Sequence, residues 1–181
     1  MSSQSKNVQI YVLMGVCGCG KSTIGGILAT QTGGIFIDGD HFHPPENVAK
    51  MSAGTPLDDD DREGWLVAIR TAADEHPGPW PLLIGCSALK RKYRSLLCQG
   101  KRGGRFGFIH LSGSPALIKE RMEKRASHFM KAGMLESQLA DLEALAGEET
   151  GFTVDITPTP EEIVDKIREW LADGTSMTTT V

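Results

Sequence analysis

A glycine-rich loop near the start of the chain carries the residues whose chemistry is easiest to infer. Residues 15–22 read G-V-C-G-C-G-K-S and match G-x-x-x-x-G-K-[ST], a pattern that cradles nucleotide phosphates. Its glycines let backbone N–H groups point at phosphate oxygens, and the helix that follows adds its positive dipole end. Lys21 is expected to reach the β- and γ-phosphates, and the Ser22 hydroxyl to bind Mg²⁺. The predicted nucleotide-binding residues are Gly15, Cys17, Gly18, Cys19, Gly20, Lys21, Ser22 and Thr23.

A second polar segment offers two carboxylates. Asp38 and Asp40 follow a short predicted strand, and Gly39 between them lets the chain turn so that both could face one cleft. One carboxylate could organise Mg²⁺-bound water, and the other could orient an attacking hydroxyl or accept its proton. Asp38 is the better metal candidate, because the third strand has no aspartate at its end. Taken alone, an Asp-x-Asp segment is more often a solvated turn.

The elements that would position these residues alternate along the chain. Predicted strands alternate with predicted helices, which favours a right-handed, mostly parallel α/β sheet with helices on both faces. In such folds ligands bind at the carboxyl ends of the strands. Three polar segments follow strand ends, at residues 15–22, 38–43 and 86–90, so one shared cleft is predicted. The strands are 8–14, 34–37, 82–86, 106–111 and 152–156, and the helices 22–31, 46–51, 60–75, 90–98, 114–125 and one capped at Thr159.

Length and composition narrow the class of protein. The 181 residues fit a single domain over residues 8–172, with disordered tails expected at 1–7 and 173–181. A net charge of −4 supplies no basic surface for nucleic acid. No apolar run approaches the ~20 residues that a membrane helix needs, and the first residues are too polar for a signal peptide, which favours a cytoplasmic protein. Residues 47–51 lack the N-K-x-D pattern that recognises guanine, which disfavours a GTPase switch.

Several segments together resemble gluconokinases over almost the whole chain, from residue 8 to residue 171. The resemblance implies the P-loop kinase fold of nucleoside monophosphate and shikimate kinases, with three layers, a five-stranded sheet and a mobile lid. It also implies ATP and gluconate as substrates, 6-phosphogluconate and ADP as products, and a homodimer. The matching segments are 15–23, D-G-D-H-F-H-P at 38–44, 47–51 with Gly54, Pro56-Leu57, Asp61-Arg62, Trp65-Leu66, C-S-A-L-K at 86–90 with Tyr93-Arg94, and H-F-M at 128–130 with Ser137-Gln138.

The resemblance also assigns roles to single residues. It places Asp40 at the acceptor hydroxyl and Arg62 at the carboxylate of the sugar acid, which a guanidinium can grip with two parallel bonds. Arg121 and Arg125 would border the adenine, lead into the lid and act in catalysis beside Lys21 and Asp40. The further substrate-binding candidates are Ser87, Lys90, Arg94 and His128.

Other interpretations stay open at this point. Without the resemblance, Arg62 would be a solvent-facing helix residue beside a charge cluster at 58–61, and Arg121 and Arg125 would lie on an exposed basic helix. Another small-acceptor kinase of the same fold, such as one acting on shikimate, is a rival, and so is a nucleotide-dependent regulatory protein. The chain also departs from the family, with Cys17 and Cys19 where serines are usual, Gly64 where proline is usual and Lys131 for another proline.

Overall fold

One parallel sheet organises the chain in a computed structural model that describes residues 8–124, 132–173 and 179–180. The strand order is β2-β3-β1-β4-β5-β6, and every neighbouring pair is parallel. The strands are β1 Ile10–Met14, β2 Ile35–Asp38, β3 Leu82–Gly85, β4 Phe106–Ser112, β5 Gly151–Asp155 and β6 Thr179–Thr180. The helices are α1 Lys21–Thr32, α2 Pro45–Ser52, α3 Asp59–Glu75, α4 Arg91–Leu97, α5 Pro115–Lys124, α6 Ala132–Asp141 and α7 Pro160–Ala172.

The middle of the sheet is buried on both faces, as expected for parallel strands covered by helices. All five residues of β1 and all four of β3 are buried. Helix α1 packs beside α7, and α3 packs beside α4, so the helices supply the two outer layers. The predicted α/β architecture is therefore confirmed.

The strand register brings the polar segments to one edge of the sheet. Leu13 in β1 pairs with Gly85 in β3, and Gly85 in turn pairs with Asp38 in β2. The next residues after these three strands begin the glycine-rich loop, the Asp-Gly-Asp turn and the segment around Ser87. A short 3₁₀ helix, Gly39–Phe42, follows β2 and is capped by the Asp38 carboxylate, which accepts from the Asp40 N–H.

Local capping determines where two long helices begin. Asp58 caps α3 through the N–H of Asp61, and the Asp61 carboxylate returns a bond to the Asp58 N–H. Thr159 and Glu162 form the same reciprocal pair at α7, where Pro160 fills the first helical position. These caps fix the residues at which α3 and α7 begin.

Two elements were not predicted from the sequence. Helix α6 lies in the region expected to be a lid, and β6 lies within the tail expected to be disordered. Thr179 and Thr180 pair with Phe152 and Thr153, which adds a sixth, two-residue strand at the edge of the five predicted strands. Threonine favours strands, and the edge of β5 offers unpaired backbone groups. Within the described ranges, no helix is long and apolar enough to cross a membrane.

Candidate active site

The glycine-rich loop between β1 and α1 has the backbone shape that only glycines allow. Gly15 has φ 136° and Gly18 has φ 82°, both in the region that side chains disfavour. A Cβ at Gly15 would lie 2.9 Å from the Leu111 carbonyl oxygen, and one at Gly18 would lie 2.7 Å from Met122 Cγ. The curl of the loop therefore depends on these two positions.

Lys21 places its positive charge inside this loop. Its Nζ donates to the carbonyl oxygens of Gly15 and Val16, each at 3.1 Å. Burial lowers the pKa of Lys21, but its coulombic interactions with Cys19, Cys17 and Asp40 oppose this, and the net pKa lies above its usual value. The ammonium group is therefore charged at neutral pH and is held where the phosphates of a nucleotide would lie.

Ser22 and Asp38 place two oxygen ligands side by side. The Ser22 hydroxyl donates to Asp38 Oδ2 at 3.2 Å, while Asp38 Oδ1 accepts from the Asp40 N–H at 3.0 Å. A hydroxyl and a carboxylate suit Mg²⁺, which is usually held by one or two protein oxygens together with water and substrate phosphates. The described residues contain no larger cluster of His, Cys, Asp and Glu that could hold a metal by itself.

Asp40 projects into solvent but has an ordered histidine beside it. Its side chain is 77% exposed, and its Oδ1 lies 3.9 Å from Nε2 of His43, whose side chain is only 4% exposed. The imidazole ring of His43 stacks on Trp65 with ring centroids 4.2 Å apart. The indole N–H of Trp65 donates to the Gly39 carbonyl at 2.7 Å, so the whole turn is held against α3.

The tautomer of His43 follows from its second contact. Asn47 Nδ2 lies 3.3 Å from His43 Nδ1 and also donates to the Asp61 carbonyl at 2.7 Å, which fixes the orientation of the amide. Since the amide nitrogen can only donate, Nδ1 accepts and the ring proton lies on Nε2, facing Asp40. Burial lowers the pKa of His43, Arg62 lowers it further and Asp40 opposes both. A neutral imidazole thus offers its N–H toward the Asp40 carboxylate.

Arg62 is buried in α3, with an exposed fraction of 5%, and so is not the solvent-facing residue of the alternative interpretation. Its Nε donates to the Leu57 carbonyl at 3.3 Å, and its guanidinium lies 5.5 Å from the ring centroid of Tyr93. Among the described residues its two terminal nitrogens have no hydrogen-bond partner. A buried cation with open donors that lines a cleft suits an anionic ligand.

Two cavities adjoin the glycine-rich loop. We name the first, of about 240 Å³, the acceptor-side cleft, after the predicted acceptor residues Asp40 and Arg62 that line it. We name the second, of about 320 Å³ and with an apolar wall, the base-side cavity. The acceptor-side cleft is lined by Cys17, Gly18, Gly20, Lys21, Ser22, Asp38, Asp40, His43, Met51, Leu57, Arg62, Trp65, Ser87, Met134 and Gln138. The base-side cavity is lined by Gly18, Cys19, Gly20, Thr23, Ile24, Arg121, Lys124, Pro160 and Ile163.

Two predicted substrate-binding residues lie outside this cleft. Lys90 Nζ contacts the carboxylates of Asp59 and Asp141, at 3.1 and 3.2 Å. Arg94 is fully buried and contacts both carboxylate oxygens of Glu149, at 2.6 and 2.9 Å. Its remaining bonds go to the carbonyl oxygens of Ala88, Leu89, Glu143 and Ala144. Both side chains therefore bind other parts of the protein, because carboxylates distant in sequence reach them in the fold.

The other predicted residues divide between the two cavities. Asp40, Arg62 and Ser87 meet at the acceptor-side cleft, and Ser87 also accepts the Gly15 N–H at 3.2 Å through its carbonyl oxygen. Arg121 lines the base-side cavity and donates to the Ile156 carbonyl at 2.6 Å. Arg125 and His128 lie outside the described residues.

Sequence reasoning missed six side chains of the acceptor-side cleft. All but Met134 belong to segments that carried the family resemblance, and the six are His43, Met51, Leu57, Trp65, Met134 and Gln138. The spacing of Met134 and Gln138, one helical turn apart, was the available signal for a helix with one face toward the site. On the base side, Ile24, Lys124, Pro160 and Ile163 line the cavity and were not among the predicted nucleotide-binding residues.

Comparison with known proteins gives consistent relatives. The family model described as shikimate kinase matches residues 17–172. The thermoresistant gluconokinase of Escherichia coli (strain K12) is 40% identical over 176 residues, covering 96% of this chain and 99% of that protein. The gluconokinase of Gluconobacter oxydans (strain 621H) is 39% identical over 162 residues, covering 88% and 89%.

Two solved structures share the fold of this chain but differ in their sequence identity to it. A gluconokinase from Sinorhizobium meliloti 1021 has a TM-score of 0.83 at 43% identity, covering 93% of this chain and 94% of that one. The shikimate kinase of Acinetobacter baumannii, solved with shikimate, has a TM-score of 0.55 at 17% identity, covering 93% and 95%. The second likeness shows a common fold alone, which explains why a shikimate kinase model matches.

Proposed function

The chain belongs to the gluconokinase family and phosphorylates D-gluconate with ATP, and we propose that its two cavities divide that reaction between a nucleotide side and an acceptor side. The products are 6-phospho-D-gluconate and ADP. The observation that carries the division is the position of the glycine-rich loop, which lines both cavities. The γ-phosphoryl group would leave the loop toward the cleft that contains Asp40 and Arg62.

On the acceptor side, Asp40 is the proposed partner of the attacking hydroxyl. Phosphoryl transfer through a loose transition state requires mainly that the alcohol oxygen be held in line and that its proton be accepted late. The exposed Asp40 carboxylate can do both. The Nε2 atom of His43 lies 3.9 Å from Asp40 Oδ1, so its N–H faces that carboxylate.

Arg62 is the proposed binding group for the gluconate carboxylate. Gluconate carries one negative charge, and a guanidinium offers two parallel N–H donors in the geometry of a carboxylate. Leu57 takes the Nε donor, which leaves the terminal nitrogens for the ligand. Binding at one end of the sugar acid would place its far hydroxyl toward Asp40. The carbon chain of gluconate, between its carboxylate and its far hydroxyl, would contact the side of the cleft that contains Ser87.

On the nucleotide side, the phosphates would lie over the loop and the base in the base-side cavity. Lys21 would neutralise the phosphates, and Ser22 and Asp38 would hold Mg²⁺, directly or through water. When bound, Mg²⁺ supplies charge that stabilises the phosphate oxygens during transfer. Arg121 and Thr23, with the apolar Pro160 and Ile163, form the walls available to the adenosine. Roles for Arg125 and His128, a cytoplasmic location and a homodimer remain predictions from the sequence.

The Asp40→Asn variant tests this assignment. The amide keeps the shape and one acceptor oxygen but loses the charge, so gluconate-dependent ADP release should fall by about 10²-fold or more. ATP affinity should stay near wild type, because Asp40 is not a ligand of the nucleotide. Asp60→Asn is the matched control, since Asp60 is exposed on α3 and does not line the cleft. An Asp40→Asn enzyme with full turnover contradicts the proposed role.

The metal assignment has a separate readout. Asp38→Asn should raise the Mg²⁺ concentration needed for half-maximal turnover, whereas Asp40→Asn should leave that concentration unchanged. A panel of acceptors that includes gluconate and shikimate distinguishes the proposed substrate from its rival. Phosphorylation of shikimate in place of gluconate would refute the substrate assignment.

A further inference from the structure

Helix α6 presents one face to the reaction site. Met134, Gln138 and Asp141 recur at spacings of four and three residues, so they lie on the same side of the helix. Met134 and Gln138 line the acceptor-side cleft, and Asp141 contacts Lys90 Nζ at 3.2 Å. Lys90 also contacts Asp59 at the start of α3, the helix that carries Arg62. Lys90 therefore links the end of α6 to the start of α3.

Gln138 attaches the same helix to the phosphate loop. Its Oε1 accepts a hydrogen bond from the backbone N–H of Cys17 at 2.7 Å, across 121 positions of sequence. A backbone N–H can only donate, so the contacting atom is the oxygen of the amide and the orientation of the group is fixed. The Nε2 donors must then lie on the other side of the amide. They have no hydrogen-bond partner within residues 8–124 and 132–173.

The position of Cys17 makes this orientation chemically relevant. Cys17 is in the glycine-rich loop, and it lines the acceptor-side cleft together with Lys21 and Asp40. Gln138 therefore sits where the phosphoryl group must pass from the loop to the acceptor hydroxyl. During transfer the negative charge of that group is spread over its three equatorial oxygens. Donors already oriented at this place can stabilise that charge without rearranging.

We propose that Gln138 is a further catalytic residue, whose Nε2 group donates to an equatorial oxygen of the phosphoryl group in flight while the Cys17 N–H holds the amide in place. The bond between the γ-phosphorus and the β,γ-bridging oxygen breaks, the bond from the acceptor oxygen forms, and the acceptor proton passes to Asp40. Gln138 exchanges no proton. This role rests on the proposed function, since it supposes transfer across the acceptor-side cleft.

Two substitutions separate the donors from the anchor. Gln138→Glu keeps an oxygen for the Cys17 N–H but removes both donors, whereas Gln138→Met removes both interactions. We expect kcat to fall by about 10²-fold in each, as for loss of one oxyanion donor, with KM for ATP changed less than about threefold. Glu136→Gln, on the exposed side of α6, is the matched control and should keep wild-type kcat. Thermal unfolding of all three should match wild type.

A binding measurement reports on the transition state without an acceptor. Calorimetry with ADP and Mg²⁺, with and without aluminium fluoride, measures how much the fluoride tightens nucleotide binding. Both Gln138 variants should lose most of that tightening while keeping wild-type affinity for ADP alone. If Gln138→Glu retains wild-type kcat, or if both variants retain the tightening, the proposal is overturned. A wild type inactive on gluconate would refute the proposed function, yet the fluoride measurement would still test Gln138.

Discussion

Arg62 and Arg94 are both buried and both lie near Tyr93, but the groups that surround their positive charges differ. Arg94 is surrounded by the Glu149 carboxylate and four carbonyl oxygens. Within the part of the chain that the structure describes, Arg62 has one carbonyl partner and a cleft in front of its terminal nitrogens. A buried charge is costly unless it is paired. Burial of an arginine therefore points to a ligand site only where the chain has not supplied the anion itself.

The largest expected effect is on folding, at Arg94. Arg94→Met leaves Glu149 and several carbonyl groups without their partner, so the free energy of unfolding should fall by about 3–5 kcal/mol. The folded fraction should keep its KM for gluconate, because Arg94 lies outside the cleft. Urea denaturation measures the first quantity and steady-state kinetics the second. Arg91→Met, which breaks only the exposed pair with Glu148, is the control and should cost less than about 1 kcal/mol.

The pKa of His110, which lies in β4, depends in part on the charge of Arg94. Burial, with a further contribution from Arg94, lowers the pKa of His110 from 6.5 to about 4. Below pH 6.5 the imidazole of His110 is therefore protonated in the unfolded chain, whereas in the folded chain it is protonated only below about pH 4. Stability from this group is full above pH 6.5 and falls by up to ~1.4 kcal/mol for each pH unit below it.

His110→Gln provides the measurement of that effect. Unfolding free energies of wild type and variant, compared between pH 7 and 5, should show a shallower fall in the variant. All other titratable groups are common to both proteins, so their contributions cancel in the difference. Parallel curves would mean that His110 does not carry this pH dependence.

Arg62→Met is expected to weaken the acceptor and not the fold. Loss of the guanidinium should raise KM for gluconate by about 10²-fold, which corresponds to the few kcal/mol typical of a charge pair. The free energy of unfolding should stay constant or rise, because the variant no longer buries an unpaired cation. Arg70→Met, two turns along α3 and outside the cleft, is the control. A destabilised Arg62→Met enzyme with unchanged KM would erase the contrast between the two arginines.

The smallest effect is expected at Lys90. Hydrogen bonds from Lys92, Tyr93 and Lys90 hold the pKa of Asp59 well below its usual range, so two partners remain if Lys90 is lost. Lys90→Met should change KM for gluconate less than threefold and stability less than about 1 kcal/mol, as for a partly exposed pair. Lys92→Met, which shares Asp59 but not Asp141, is the matched control. A KM increase as large as that of Arg62→Met would restore Lys90 to the predicted substrate-binding set.

The sequence is most informative where chemistry is local. The glycine-rich loop and its flanking strand and helix follow from neighbouring residues, and so do the starts of the three helices that begin with proline, α2, α5 and α7. The structure has these elements within about two residues of the predicted places. The fate of Arg94 depends on Glu149, 55 positions later, and that of Cys17 on Gln138, 121 positions later. The spacing of residues within one segment contains no information on contacts with residues so distant in sequence. The family resemblance assigned Arg62 to the substrate carboxylate and gave Arg94 as a further substrate-binding candidate. The packing of α3 and α4 against the rest of the protein separates the two.

The four consecutive aspartates at 58–61 have a consequence for how the gene tolerates mutation. One caps α3, the next pairs with Lys90 and Lys92, the third is exposed, and the last returns the capping bond and holds Lys50. The four aspartates therefore occupy four different structural environments. A saturation scan should find Asp60 permissive, Asp58 open to serine, threonine or asparagine, and Asp61 restricted to acceptors that reach both the backbone and Lys50. A run of four identical residues in this enzyme would then carry a different sequence constraint at each position.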